Sequence, residues 1–515
     1  MVIKVEIGAQ NPTVSRLRSI TSQFIASTSS FILILDLGMA LIFSTIMMPA
    51  VLNATEGLSL NELEASWFGS ISFLMQPAGA VISGPIVDYF GRRKANFLSN
   101  VPILVAWLLM YFSWNVPSLF AGSALLGISL GVMEAPINSY VGEISDPSIR
   151  GALCTLTQFF VSVGILIMYF LGTVVDWRNA ALICLIAPIA SMIMVVFSPE
   201  TPVWLLARNR EKEALQSLCK LRGWTSPENV KAEFDELNAY SKNKISKCVI
   251  CCNTNQEQKT CEHESMNGFV RRILTFRYVM LCKETLRPLV LVMMYFLFYV
   301  MSGLVPIRPN LINVCGALGM AQDGKFVALM VGVITFITTF VVIGLIKVLG
   351  KRKLSITSLL GSAVSCLLLS IYAKRNLADT VFSYNPSTFP TETSVVPVVL
   401  LYLLTIFTGL GLPWVLLGEL FPFRSRASAQ GLSAASNYVF SFIGTKTLYD
   451  LESNLKLWGT FAVYAVFGFI GAIYLYFFLP ETEGKTLQEI EDFYKGERRI
   501  FADDPIINSC RRHKR

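Results

Sequence analysis

Twelve long apolar blocks run through this chain, and no water-soluble fold of its size can bury them all. They lie at about 29–52, 66–87, 96–113, 118–141, 152–175 and 177–197, then at 286–306, 325–349, 354–373, 396–417, 430–450 and 457–479. An apolar helix of about 20 residues matches the hydrocarbon thickness of a bilayer. Only 15% of the 515 residues are charged, against about 25% in a typical soluble protein. The expected fold is therefore an all-α polytopic membrane protein with twelve transmembrane helices, grouped six and six. Its first partner is the lipid bilayer. The net charge of +8 does not imply nucleic acid, because the cations gather at the ends of the blocks. Segment 1–28 is polar and lacks a cleavable apolar core, so the first helix is expected to act as its own signal. Eleven cysteines are scattered, several within apolar blocks, which argues against a disulfide framework. Many of the Gly and Pro residues also fall inside the blocks, so closely packed, locally kinked helices are expected.

Cation placement sets the expected orientation. The connections after the second, fourth, eighth and tenth blocks hold Arg92, Arg93, Lys94, Arg150, Lys351, Arg352, Lys353, Arg424 and Arg426. The first connection, 53–65, has Glu56, Glu62 and Glu64 but no cation, and the third has none. Both termini and the polar insert are thus expected in the cytoplasm. The organisation read this way is a cytoplasmic N-terminus (1–28), a six-helix bundle (29–197), a partly helical cytoplasmic insert (198–284), a second bundle (285–479) and a cytoplasmic tail (480–515).

The halves repeat one another. Asp88-x-x-Gly91-Arg92-Arg93 answers Lys347-x-x-Gly350-Lys351-Arg352. "VGEISDPSIRG" (Val141 to Gly151) answers "LGELFPFRSRA" (Leu417 to Ala427), and "PETPVWLL" (Pro199 to Leu206) answers "PETEGKTL" (Pro480 to Leu487). Three pairs in one order and on one side indicate a parallel repeat, an architecture that puts a substrate path between the bundles near mid-membrane.

These motifs carry a family resemblance. "GPIVDYFGRRK" (Gly84 to Lys94), "PETPVWLL" and "PETEGKT" resemble the signatures of the sugar porter group of the major facilitator superfamily, which includes facilitative glucose carriers and insect trehalose carriers. The resemblance covers nearly the whole chain. It implies the major facilitator fold, a plasma-membrane carrier that moves a small polar solute, a sugar such as trehalose or a hexose, by alternating access, and neither enzyme activity nor a cofactor. In the charged connections, carboxylates can accept hydrogen bonds from arginine forks. Asp88, Glu143 and Glu200 are expected to pair with Arg92, Arg93 and Arg150, and Glu419 and Glu481 with Arg426, as a cytoplasmic gate that opens on the inward swing.

The resemblance also places a pocket. Gln158 stands at the family's sugar-binding glutamine, Trp414 at its pocket tryptophan, Asn437 at its eleventh-helix asparagine and Thr335 at a polar position of the eighth helix. Amides bond hydroxyls and an indole face stacks on a sugar ring. Two helices depart from the pattern. In "LFYVMSGLVPIRPN", Tyr299, Val300 and Val305 stand where three amides are expected. Each missing bond weakens hydroxyl recognition by about 0.5–1.5 kcal/mol. That casts a typical hexose into doubt and favours a larger or less polar solute. In the fourth helix Ser123 replaces an expected arginine, and Asn138 stands where a proline is expected, with Pro136 nearby.

Intramembrane acids are functional candidates because burying their charge is costly. Asp36 in the first helix and Glu134 in the fourth qualify, and both are candidates for proton coupling in a symporter. For Asp36 the competing reading is a hydrated place near the cytoplasmic end of its helix, and for Glu134 a hydrogen-bonding member of the pocket. The missing arginine at Ser123 favours facilitative transport. A non-transporting sensor built on the same body is the other alternative, favoured by the altered seventh helix and disfavoured by the short tail. Cys248, Cys251, Cys252, Cys261 and His263 in the insert resemble half a zinc site without a clean second half, so no metal is assigned. Palmitoylation of these cysteines is a further alternative. Asn53-Ala54-Thr55 is a glycosylation sequon close to the end of the first helix, and the basic tail is suited to anionic lipid.

Overall fold

The computed structural model describes residues 16–55, 57–146, 149–246, 280–377, 393–422, 425–483, 485 and 487–495, and among them every regular element is helical. The first bundle comprises α1 (Arg16–Val51), α2 (Glu62–Phe90), α3 (Arg92–Tyr111), α4 (Val116–Ile144), α5 (Arg150–Val174) and a sixth span made of α6 (Trp177–Cys184) and α7 (Ile186–Phe197). The insert adds α8 (Pro202–Ala207), α9 (Glu211–Leu221) and α10 (Pro227–Ser246). In the second bundle α11 (Lys283–Val300) bends by 51° into the segment Leu304–Ala317. That segment contains α12 (Leu304–Ile307), a 3₁₀ turn (Arg308–Asn310) and α13 (Leu311–Ala317). Then follow α14 (Gly324–Leu349), α15 (Lys351–Asn376), a tenth span of α16 (Val396–Gly409) and α17 (Pro413–Glu419), then α18 (Arg426–Lys446), α19 (Leu448–Phe478) and a terminal α20 (Leu487–Lys495).

Nine of the described spans, or ten with the bent pair, are long and apolar enough to cross a bilayer. The exceptions, α3 and α18, hide polar groups inside the bundles. In α3 the Asn96 amide donates to Ser30 Oγ (3.0 Å) and the Asn100 amide to the Asn96 carbonyl (2.7 Å). In α18, Ser433, Ser441 and Thr445 are buried. Polar side chains that face protein rather than lipid are tolerated within a membrane. The expected boundaries move in two places. Helix α1 begins well before residue 29 because its first turns pack on the insert, where Ser22 donates to the Lys220 carbonyl, and on the connection after α4, where Gln23 accepts the Asp146 N–H at 2.8 Å. The eleventh span ends at Lys446 rather than 450, and Lys456 (φ +57°) interrupts α19 just where the twelfth block begins.

Local sequence explains several helix starts. Asn61 with Glu64, and Asn115 with Ser118, form reciprocal caps at α2 and α4, and Asp176 caps α6. Between α2 and α4 the backbones nearly touch. A Cβ on Gly79 would lie 2.1 Å from the Ile128 carbonyl oxygen, and one on Gly131 would lie 2.1 Å from that of Gln76. Only glycine permits that approach.

The two bundles meet along α1 against the 3₁₀ turn, α2 against α18, and α5 against α14. Toward the end opposite the cation-rich connections, Thr45 donates to the Arg308 carbonyl (2.7 Å) and Ser66 to that of Lys446 (3.0 Å). Lys446 Nζ in turn lies 4.8 Å from the Trp67 ring centroid. Deeper along the seam, Phe159 packs against Phe336 and Phe340, with centroids 5.6 and 5.2 Å apart.

Candidate functional site

At the cation-rich end each bundle carries the same clamp. In the first, Glu200 Oε1 accepts the backbone N–H groups of Arg92 (3.0 Å) and Arg93 (3.2 Å) at the start of α3. The Arg92 guanidinium reaches Glu143 Oε1 through Nε (3.0 Å) and Nη2 (2.8 Å). Arg93 caps the end of α7 by donating to the carbonyls of Val195 (3.1 Å) and Val196 (2.5 Å). In the second bundle Glu481 accepts the N–H groups of Lys351 (3.0 Å) and Arg352 (3.1 Å). Lys351 Nζ pairs with Glu419 (2.7 Å) and Glu483 (2.8 Å), and Arg352 donates to the Tyr476 carbonyl (2.8 Å). Anions at a helix N-terminus and cations at a C-terminus are both favoured by the exposed backbone groups there. Burial pushes the Glu200 carboxyl up, while the N–H groups of Thr201, Arg93 and Arg92 and the Arg92 charge draw it down.

The glycines before α3 and α15 make the clamp possible. Gly91 (φ +89°) and Gly350 (φ +77°) take a conformation that L side chains rarely adopt, and a Cβ on either would sit 2.5 Å from the capping carboxylate.

This geometry corrects the expected pairings. Glu200 and Glu481 accept backbone N–H groups at the starts of α3 and α15, and Glu419 pairs with Lys351. Arg93 binds carbonyls, not a carboxylate. Asp88 is exposed and contributes its carbonyl, which accepts Trp204 Nε1 (3.2 Å) and Arg208 Nη2 (3.0 Å). The side chains of Arg150 and Arg426 lie outside the described residues. The pairs of Arg92 with Glu143 and of Lys351 with Glu419 and Glu483 each stay within one bundle, and Arg210–Glu213 and Arg222–Glu233 lie in the insert. Sequence reading took Lys351 only as an orienting cation and missed Glu483. The signal was present, since Lys351 repeats Arg92 and Glu483 follows the second Pro-Glu-Thr.

At mid-span a different contact crosses the seam. Tyr438 in α18 donates its hydroxyl to Glu134 Oε2 in α4 at 2.9 Å. Glu134 stands ten residues before Ile144, about 15 Å from that helix end, and Tyr438 twelve residues after Arg426, about 18 Å. Tyr438 stacks obliquely on Trp414 (6.4 Å), whose other neighbour is Phe296 (5.1 Å). Neighbouring Asn437 is buried, Thr335 is half-buried and bonds its own helix at Val331, and Gln158 is exposed in α5. Tyr438 was not among the sequence candidates, although it adjoins Asn437.

The seventh helix also differs from expectation. Val300 is buried (1% exposed), whereas Tyr299 and Val305 are half-buried. Tyr299 lies over Gly411, where a Cβ would come within 2.4 Å of its ring, and Tyr295 donates its hydroxyl to no carboxylate but accepts the Leu412 N–H at 3.0 Å. The break before Trp414 is thus held by two tyrosines of α11.

Asp36 is not near the cation-rich end. It is fully buried, and Trp107 Nε1 donates to both its oxygens (3.1 and 3.3 Å). Trp107 lies fifteen residues, about 22 Å, beyond the start of α3. Ser123 is buried (4% exposed). Asn53 is exposed, two residues past α1, in a left-handed conformation (φ +51°) that asparagine tolerates, and its N–H bonds the Leu60 carbonyl (2.9 Å). The cysteine cluster 248–261 with His263, and the basic segment 496–515, lie outside the described residues.

The family model described as "Sugar (and other) transporter" matches residues 22–494. The chain belongs to that family. Facilitated trehalose transporters Tret1 from Bombyx mori and Polypedilum vanderplanki are both 29% identical to it, covering 88% and 97% of this chain and 83% and 93% of their own lengths. Among solved structures, the partially occluded inward-open xylose transporter XylE from E. coli superposes with a TM-score of 0.68 at 18% identity, covering 91% of this chain and all of that one. The major facilitator superfamily proton:xylose symporter XylE bound to 6-bromo-6-deoxy-D-glucose gives 0.66 at 19%, over 92% of this chain and all of that one. At such identity these structures establish the fold, two six-helix bundles of the major facilitator type. The chain is accordingly an integral membrane transporter of the sugar class and not an enzyme.

Proposed function

We propose that this transporter carries trehalose or a hexose-sized sugar across the plasma membrane by facilitative alternating access. The observation that carries this reading is the division of contacts along the molecule. One end is joined across the seam by Thr45–Arg308 and Ser66–Lys446, while at the other end the described clamps, Arg92–Glu143 and Lys351–Glu419, each lie within one bundle. Two internally rigid bodies with a seam closed at one end suit a rocking motion. In this reading Asp88, Arg92, Arg93, Glu143, Arg150, Glu200, Glu419, Arg426 and Glu481 belong to the cytoplasmic end, with both termini on that side. The clamps act by keeping each bundle rigid. The pocket comprises Gln158, Trp414, Asn437, Thr335, Tyr299 and Glu134.

The arrangement at Asp36 supports the facilitative mode. Its oxygens are taken by an indole of its own bundle, and Ser123 offers no cationic partner whose release a proton could trigger. Purified protein in liposomes provides the test. Labelled sugar should equilibrate and not accumulate, with or without an imposed proton gradient. Accumulation that a protonophore collapses would overturn the facilitative reading, and the absence of uptake of any sugar would overturn transport itself.

A further inference from the structure

Glu134 is set apart from Asp36 by where it stands. Asp36 is sealed inside one bundle. Glu134 is half-buried on the seam and receives a hydroxyl from the other bundle through one oxygen only. No described lysine or arginine pairs with it, and Oε1 accepts no hydrogen bond from a described residue. A carboxylate at mid-membrane without a counter-charge is costly to maintain. The aromatic neighbours add a second preference of the same sign. Tyr438 bonds the carboxylate through its hydroxyl, and the partly exposed Trp414 ring has its centroid 6.4 Å from that of Tyr438. The face of an aromatic ring attracts organic cations. The seventh helix offers Tyr299 and Val305 where the family resemblance implies amides, so the recognition of hydroxyls is reduced on that side.

We propose that Glu134, Tyr438 and Trp414 form a subsite for a protonated amine, so that the solute is an amino sugar. The proposal rests on the sugar-transport reading and narrows its hexose-sized solute to an amino sugar, in place of neutral trehalose. The ammonium group donates to Glu134 Oε1 while Tyr438 keeps Oε2, and Gln158 and Asn437 remain for the hydroxyls. Glu134 and Tyr438 belong to opposite bundles, so the amine binds at a point that joins the two. A neutral sugar closing into the same site would desolvate the carboxylate without pairing it. That discriminates against neutral solutes more strongly than the loss of a simple contact would.

The test uses the full chain, purified and reconstituted in liposomes at about pH 6.5, where such an amine is mostly protonated. Initial uptake of labelled D-glucosamine is compared with that of glucose and trehalose at equal concentration. Glucosamine should enter at least tenfold faster. An inside-negative potential of about 100 mV should drive its accumulation toward about 50-fold and leave the neutral sugars unaffected. Glu134→Gln should lower the glucosamine-to-glucose ratio at least tenfold, and Glu134→Asp should restore part of it. Monodispersity in detergent and protection of the wild type by glucosamine against heating separate loss of binding from misfolding. Neutral sugars entering as fast as glucosamine, or an unchanged ratio in a monodisperse Glu134→Gln variant, would overturn the proposal and leave sugar transport standing. If monodisperse wild-type protein moves no sugar of either kind, the transport reading falls and the proposal falls with it.

Discussion

Replacing Gly91 with alanine probes the clamp at its tightest point. The new methyl would enter 2.5 Å from Glu200 Oε2 and 3.0 Å from its carboxyl carbon, at φ +89°. Holding an L-residue at φ +89°, ψ 168°, a region essentially reserved for glycine, costs about 1–3 kcal/mol. Pushing the carboxylate off the α3 terminus forfeits a hydrogen-bonded charge, worth about 1.5–3 kcal/mol. The sum is about 2.5–6 kcal/mol. For a bundle of this size 1 kcal/mol moves Tm by about 2–4 °C, so a fall of about 5–24 °C is expected. Gly84→Ala is the internal control. It lies in the same motif, within α2, where a Cβ meets nothing within 4 Å, and alanine should raise stability slightly there. The assay is the temperature at which half of the detergent-solubilised protein loses monodispersity. The double variant Gly91→Ala/Glu200→Ala should fall short of the summed single losses by about 1.5–3 kcal/mol, because the carboxylate can be displaced only once. Equal stability of Gly91→Ala and Gly84→Ala, or strict additivity in the double variant, would refute the clamp as drawn. Gly350→Ala with Glu481→Ala should reproduce the pattern in the second bundle.

Other outcomes follow from the same geometry. Arg92 and Glu143 are partly shielded, with side chains 16% and 21% exposed, so a double-mutant cycle with Arg92→Met and Glu143→Gln should return a coupling of about 1–3 kcal/mol, above that of an exposed pair. Paired cysteines at Ser66 and Lys446, whose residues now touch at 3.0 Å, should on oxidation block sugar uptake and on reduction restore it; unimpeded uptake by the crosslinked form would contradict a seam that opens at that end. Asp36→Asn should leave uptake insensitive to an imposed proton gradient, as in the wild type, whereas loss of gradient-driven accumulation would assign Asp36 to proton coupling. Gln158→Ala and Asn437→Ala should each weaken sugar binding by about 0.5–1.5 kcal/mol, roughly 2- to 12-fold in apparent affinity, and unchanged half-saturation in both would remove them from the pocket.

Sequence and structure divide along the range of the interactions involved. The amino-acid sequence alone settled the twelve spans, because each apolar block must meet lipid or protein along a length that the bilayer dictates. It also settled the pairing of the halves, since Asp88–Arg93 and Lys347–Arg352, and the two Pro-Glu-Thr turns, are matched by chain order alone. It could not settle partners. Glu200 and Glu481 read as anions that should seek arginine side chains, yet the left-handed turns at Gly91 and Gly350 bring backbone N–H groups within 3.2 Å first. Glu419 reads as a gate acid, but nothing along the chain names Lys351, which α15 delivers to it, as its partner. Val300 reads as a pocket residue by resemblance, yet its side chain is buried while its neighbour Tyr299 is half-buried. The contact of Glu134 with Tyr438 joins residues 304 positions apart on different bundles. Hydropathy and motif spacing act within one helix or one turn, and are legible along the chain. Which acid meets which donor depends on the rotation and depth of helices packed from distant segments, and only the tertiary structure fixes those.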